Sequence, residues 1–227
     1  MDAGEAGEGS MKTKKPVFIV FEGLDGSGKS TSAKDLARRL DARFMTTPSP
    51  VVREFRDELI ASFDGCQEAC QLFYLATLFS AAEEIKRLLA GGTSVVLDRY
   101  FLSTQAYAAF RGSRLHMDSL SSLLPPADLT VFLDVPLSLR QERLKTRATS
   151  LADRETLSIE ADVRLREEHR KRAELDVVGR LLWLRCEEMS REEILEFILG
   201  SFSQVRRTGE PNLTTDKDLF LLNSVEK

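Results

Sequence analysis

Residues Gly23-Leu24-Asp25-Gly26-Ser27-Gly28-Lys29-Ser30 follow the pattern G-x-x-x-x-G-K-[ST] without a gap. Each residue type there has a chemical reason. Glycines let successive backbone N–H groups turn inward around a phosphate, and the positive end of a following helix adds to the attraction. Lys29 is a point charge for the β- and γ-phosphates, and the Ser30 hydroxyl suits Mg2+. Gly23, Gly26, Ser27, Gly28 and Thr31 complete the cradle. The pattern implies a bound nucleoside triphosphate but does not separate kinases from motors and switches. Asp25 is its unusual member, because a carboxylate inside a phosphate loop faces the anion the loop exists to hold. It makes chemical sense pointing away, toward the hydroxyl of a second substrate. The plain alternative is a solvated turn aspartate.

A second acidic position, Asp98, closes a buried stretch and is followed by Arg99 and Tyr100. A carboxylate at a strand end suits Mg2+. An arginine at the mouth of a parallel sheet suits a second phosphate, since such sheets bind ligands outside the carboxyl ends of their strands. A strand-end ion pair is the alternative. Further on, Arg140, Arg143, Lys145, Arg147 and Arg154 gather around residues 147–155. Phosphoryl transfer needs positive charge over the equatorial oxygens and exclusion of water, and a flap bearing arginines would supply both. Glu142, Asp153 and Glu155 are interleaved with them, so much of this stretch reads equally as a solvated charged helix. Function is expected for one or two of these arginines.

These groups need elements to hold them. Residues 16–22 (PVFIVFE) are apolar and β-branched and read as a buried parallel strand leading into the loop. Helical spacing follows over 29–40. A short strand near 43–45 stops at Pro48-Ser49-Pro50. Residues 67–90 form a long amphipathic helix, with Leu72, Leu75, Ala76, Phe79, Ala82, Ile85 and Leu89 near the 3.6 period and Gly91-Gly92 at its end. Strands are expected over 93–97, 129–135 and 181–185. Helices are expected over 102–110, from 118 to before Pro125, from 140, over 160–175 and over 191–199. Strands alternating with helices mean an α/β fold with a parallel sheet. The expected form is three layers, five strands flanked by helices, with a small lid over about 147–158.

The chain has 227 residues, 42% hydrophobic and 30% charged, with a net charge of −4. That suits one substantial core, taken as residues 15–203, with a disordered leader over 1–14 and a tail over 204–227. The acidic balance argues against a nucleic-acid partner. No apolar run approaches the ~20 residues that span a bilayer. The first ten residues do not read as a secretory signal. Three cysteines, Cys66, Cys70 and Cys186, fit a reducing, cytoplasmic compartment and read as buried structural thiols.

The motifs together resemble the thymidylate kinase family. Phe21 to Thr31 is similar to that family's opening block, including the loop aspartate, and Asp98-Arg99-Tyr100 to its D-R-[YH] motif. Residues 102–107, 132–135 and 153–155 fit the segments that follow, so the likeness runs from about Val17 to Ser201. It implies an ATP- and Mg2+-dependent phosphotransfer to dTMP or a related deoxynucleoside monophosphate. It also implies roles by position. Asp25 would contact the sugar 3′-hydroxyl, Arg99 and Arg56 would hold the acceptor phosphate, and Phe73 would stack on the base. Thr104 would lie near the base edge, Tyr107 would crowd the ribose 2′ position, and Arg147 or Arg154 would be the flap arginine. Such relatives are commonly homodimers packed through long helices.

Two positions depart from the family. Its R-E-P-like turn is reduced here to Pro48. Its base-reading arginine, four residues after the stacking Phe, is here Thr77. Losing a charge-assisted hydrogen bond is worth about 1.5–3 kcal/mol, or roughly ten- to a hundredfold in discrimination. A kinase for another or modified pyrimidine nucleotide, a nucleoside kinase using Glu22 or Asp25 as base, and a non-catalytic nucleotide-binding protein remain open alternatives. No N-K-x-D segment or strand-ending Asp-Glu pair marks a switch or an ATP motor.

Overall fold

The computed structural model describes residues 15–145 and 155–208, with the side chains of 203–208 outside the description. The leader over 1–14, the flap residues Arg147 and Arg154, and the tail beyond 208 lie outside the described residues. In chain order the elements are β1 (Phe18–Glu22), α1 (Lys29–Leu40), β2 (Arg43–Thr46), α2 (Pro50–Ser62), α3 (Gln67–Ala90), β3 (Val95–Asp98), α4 (Phe101–Phe110), β4 (Leu129–Asp134), α5 (Leu137–Lys145), α6 (Ile159–Arg170), β5 (Leu181–Arg185) and α7 (Arg191–Thr208). Two short 3-10 turns, Asp118–Leu123 and Asp176–Val178, join them.

Every residue of β1 is buried, with Phe18 and Val20 facing one helical layer and Ile19 and Phe21 the other. A strand apolar on both faces belongs in the middle of a parallel sheet covered on both sides. β1 pairs with β3 on one side and β4 on the other, and the order is β2-β3-β1-β4-β5, all parallel. This is the five-stranded α/β architecture expected from the sequence. Ala33 and Leu36 of α1 with Leu195 and Ile198 of α7 fill one face. Leu75, Leu78 and Ile85 of α3 with Phe101 and Leu102 of α4 fill the other. β1, β3 and β4 therefore release their chains at the same edge, where the loop and Asp98 stand.

Several boundaries differ from expectation for physical reasons. α2 was not anticipated beyond the 48–50 turn. Ser49 caps it through Val52 N, and Pro50 occupies its first turn, where no N–H is missed. No residue of α2 is buried: its apolar positions Val51, Phe55 and Leu59 recur at helical spacing but are exposed, facing an open groove instead of the core. In α3 the expected stripe is shifted: Leu72 is exposed, while Gln71 and Leu78 are buried. Gln71 is held inside by Gln105 of α4, at 2.7 Å. Residues 171–175 leave the helix in tight turns, with Arg172 N and Ala173 N bonding three residues back. α7 runs past 199 and into the expected tail because Leu199 and Phe202 continue to pack on the core. Cys66 is exposed rather than buried; Cys70 and Cys186 are buried.

Candidate active site

β1 feeds directly into the loop. Gly23 has φ 136°, and a Cβ there would stand 2.7 Å from the Leu133 carbonyl oxygen of β4, so only glycine lets the loop pass. Gly28, at φ 90°, is the N-cap of α1 and aims the helix N-terminus at the loop's interior. Lys29 is buried, and its Nζ donates to Leu24 O at 2.7 Å and to Ser27 Oγ at 3.5 Å. Burial, then repulsion from Arg99, pushes Lys29 down to about 8, against attraction from Asp25, Asp98 and Glu22. The Ser30 hydroxyl donates to Asp98 Oδ2 across the gap between loop and β3. Asp98 Oδ1 is buried without a partner among the described residues.

Asp25 is not a solvated turn residue. Arg99 forms an ion pair with its Oδ1, and the Tyr107 hydroxyl donates to its Oδ2 at 2.8 Å. Burial raises its pKa, but the charges of Arg99 and Lys29 and the Tyr107 hydrogen bond outweigh that and lower it to about 2. The same pairing raises Arg99 above its ordinary value despite burial. Burial, then the Asp25 charge, raises Tyr107. Tyr107's ring also lies under the Arg99 guanidinium, 5.1 Å from centroid.

Arg99 is held in an unusual backbone conformation, φ 69°, which disfavours residues bearing a Cβ by about 1–2 kcal/mol. Its N–H donates to Phe21 O at 2.9 Å and its carbonyl accepts from the Thr47 hydroxyl at 2.7 Å. Its Nη1 donates to Ser103 Oγ at 3.0 Å. Beneath it, the buried Glu22 carboxylate accepts from the N–H groups of Tyr100 and Ser103, at 3.0 and 3.2 Å, and from the Ser103 hydroxyl. Glu22 thus caps α4 from another strand, because Tyr100, the N-cap residue, makes no side-chain cap of its own. Burial raises its pKa, with the Ser103 bonds and Arg99 opposing. Both its oxygens are engaged by the first turn of α4.

The remaining expected substrate residues are spread over the end of β2 and the helices α2, α3 and α4. Pro48, buried and cis, closes β2, and its carbonyl accepts from Arg53 at 3.3 Å. Phe73 and Thr77 line an open groove of about 370 Å3 between α2 and α3, with Val52, Phe55, Leu59 and Ala76. The Thr77 hydroxyl donates to Tyr74 O at 2.7 Å, and that of Thr104 to Tyr100 O at 3.0 Å, so both spend their protons on their own helices. Arg56 does not join Arg99; it pairs with the adjacent Asp57 at 2.8 Å.

The basic stretch divides. Arg140, counted with the flap, is instead fully buried, with Nη1 on Asp25 O at 3.1 Å and Nη2 on Asp162. Arg143 Nη1 reaches the Gly26 and Ser27 carbonyls at 3.4 Å. Arg111 was missed. It lies over the Tyr107 ring at 5.5 Å, pairs with Glu155 at 2.5 Å, and its charge helps lower Asp25. Its place one turn after Tyr107, at the C-cap of α4, was the signal.

The sequence profile described as thymidylate kinase matches residues 21–175. The chain belongs to the thymidylate kinase family. Among its relatives, the probable thymidylate kinase of Metallosphaera sedula is 39% identical over 139 residues, covering 59% of this chain and 68% of that protein. The probable thymidylate kinase of Methanococcus vannielii is 32% identical over 161 residues, covering 70% and 78%. The thymidylate kinase of Leptospira interrogans is 33% identical over 162 residues, covering 65% and 78%. The solved thymidylate kinase of Candida albicans aligns with a TM-score of 0.67 at 21% identity, covering 85% of this chain and 93% of that one, and confirms the fold. Thymidylate kinases are ATP-dependent phosphotransferases, and this family member carries the same phosphate loop and sheet.

Proposed function

We propose that the chain transfers the γ-phosphoryl group of ATP to dTMP, giving dTDP and ADP. The observation that carries this reading is the Asp25–Arg99–Tyr107 assembly beside the phosphate loop. A triphosphate switch needs no such group, whereas a kinase with a second, phosphorylated substrate needs both a hydroxyl acceptor and a cation there. Asp25, fully ionised at neutral pH, takes the sugar 3′-hydroxyl. Arg99 takes the acceptor phosphate, and Tyr107 closes the 2′ side of the sugar. Phe73 stacks on the base in the α2–α3 groove, beside Thr77, and Pro48, Thr104 and Arg56 are the further substrate contacts that the family resemblance implies. Because Glu22 is consumed in capping α4, a nucleoside kinase with Glu22 as base is disfavoured.

Gly23, Gly26, Ser27, Gly28 and Thr31 wrap the triphosphate, and Lys29 exchanges the Leu24 carbonyl for phosphate oxygens. Ser30 and the unpartnered Oδ1 of Asp98 fit a hard cation, so these residues would hold Mg2+, which supplies charge neutralisation at the β- and γ-oxygens. An ionised acceptor phosphate needs no general base, so the protein contributes position and charge. Arg147 or Arg154 adds the flap cation. The working unit begins at residue 15 and runs through the last helix to Thr208, with its lid at 147–158, a cytoplasmic homodimer packed through its long helices. Among the described residues no helix is long and apolar enough to cross a membrane.

The test is incubation with Mg·ATP and a panel of deoxy- and ribonucleoside monophosphates, reading ADP and diphosphate product. dTMP as best acceptor supports the proposal. ATP left unchanged with every acceptor sinks it.

A further inference from the structure

Arg140 has no exposed surface, so no phosphate can reach it, and yet it sits within hydrogen-bond distance of the phosphate loop. Its Nη1 donates to the Asp25 carbonyl oxygen at 3.1 Å, and its Nη2 to the Asp162 carboxylate of α6. Its own carbonyl oxygen stands 3.0 Å from the position a Cβ would take on Gly26, so the backbone of α5 closes directly on the loop. Asp162 is shared with Arg166 at 2.8 Å, and Arg166 continues to Asp134 at the end of β4 and to Val135 O at 2.9 Å. Nε of Arg140 has no partner among the described residues.

A buried guanidinium with an unsatisfied donor is a costly way to fill space, and an apolar side chain would do it more cheaply. What an apolar side chain cannot do is hold one carbonyl in one orientation. In a planar trans peptide the C=O and the following N–H point in opposite directions. Drawing the Asp25 carbonyl toward Arg140 therefore turns the Gly26 N–H the other way, away from α5. It also fixes the Cα from which the Asp25 carboxylate projects.

We propose that Arg140, steadied by Asp162, is a positioning residue that sets the Asp25–Gly26 peptide of the phosphate loop. The inference rests on the kinase reading for its turnover assay, and nucleotide binding tests it separately. Arg140→Met keeps the length, removes both donations and leaves Asp162 paired with Arg166. Arg140→Lys offers a point charge that cannot serve Asp25 O and Asp162 with the geometry of a fork. Asp162→Asn removes the anchor's charge and leaves Arg140 in place.

Melting temperature, kcat, KM for each substrate and Kd for Mg·ATP would be measured for all three. The expected result is folded Arg140→Met with kcat reduced on the order of ten- to a hundredfold, as small misplacements of catalytic groups produce. Arg140→Lys recovers part of it, and Asp162→Asn falls between. Folded Arg140→Met with native kcat and KM overturns the proposal. Should Arg140→Met not fold, native kinetics in folded Arg140→Lys and Asp162→Asn overturn it equally, and reduced kcat in either supports it. If the native chain phosphorylates no acceptor, the proposed function fails while this inference is still decided. Weakening of Mg·ATP binding by roughly tenfold in the folded variants then supports it, and unchanged binding refutes it.

Discussion

Lys29 carries its charge where the ligand-free protein disfavours it. Its pKa is lowered from 10.5 to about 8, first by burial and then by Arg99. At about 1.36 kcal/mol per pH unit, holding the ammonium buried beside Arg99 costs about 3 kcal/mol. Lys29→Met keeps the length and removes the charge. Losing the bond to Leu24 O gives back about 1 kcal/mol, which leaves a net gain of about 2 kcal/mol. For a domain of this size that is a rise in melting temperature of about 4–8 °C. The ligand-free Lys29→Met chain should therefore melt above the native one at pH 7, while turnover is abolished and Mg·ATP no longer raises its melting point. The sign follows from proton counting. Below pH 8 the folded and unfolded chains both carry the proton and the penalty is complete. Between about 8 and 10.5 the unfolded chain keeps the proton that the folded one has lost, so native stability from this group rises with pH and the gap to Lys29→Met narrows. Differential scanning calorimetry of both chains from pH 7 to 10 reads this directly. A Met variant that melts below the native protein at pH 7, or a gap that stays constant to pH 10, would refute the reasoning.

Tyr107→Phe removes the 2.8 Å bond to Asp25 and spares the ring under Arg99. kcat/KM for the acceptor should fall about ten- to a hundredfold, the worth of a hydrogen bond to a charged group, with Kd for Mg·ATP unchanged in a fluorescent-nucleotide titration. Thr77→Arg places a cation in a groove that otherwise offers the base a hydroxyl already committed to Tyr74 O. The ratio of kcat/KM for dTMP over dCMP should rise roughly tenfold or more, measured by competition with both acceptors present; an unchanged ratio means that Thr77 does not face the base.

What the sequence made legible follows from how each element is held. β1, α1 and β5 are specified by local signals: apolar runs for the strands, and for α1 the loop glycines and the spacing of Ala33, Leu36 and Ala37. They appear where expected. α2 buries no side chain, yet Val51, Phe55 and Leu59 recur at helical spacing behind the Ser49-Pro50 cap, so both signals were in the sequence and the apolar face serves an open groove instead of the core. Within the site, the loop and Asp98-Arg99 were legible because phosphate chemistry restricts residue types at fixed spacing. Arg140 was misread, because a cation's sequence neighbours do not reveal whether it faces phosphate or a carbonyl. Arg111 went unnoticed although Tyr107 stands one turn before it, because its ion-pair partner Glu155 meets it only through the packing of α4 against the chain that follows the flap. Thr77 and Thr104 were legible as positions, but their hydrogen bonds into their own helices were not.

Asp25 shows how these levels join. Taken alone, an anion in a phosphate loop opposes the loop's purpose. In the fold its carboxylate is turned onto Arg99 and Tyr107, its carbonyl onto Arg140, and its neighbours Gly23 and Gly26 have no side chain to obstruct β4 and α5. Arg99 can meet it only because the chain leaves β3 through Arg99 itself in a left-handed conformation, pinned to Phe21 and Thr47, and because Glu22 fixes the first turn of α4 from beneath. The pairing neutralises the repulsion a triphosphate would meet at Asp25, and it keeps a cation and a hydroxyl acceptor together at the loop's rim. An acceptor bearing both a phosphate and a free hydroxyl can engage each partner without leaving either buried charge unpaired, whereas one lacking the phosphate leaves the Arg99 charge unanswered once Asp25 turns to the sugar. On the proposed function, discrimination for monophosphates over nucleosides therefore follows from the pair, and not from Arg99 by itself.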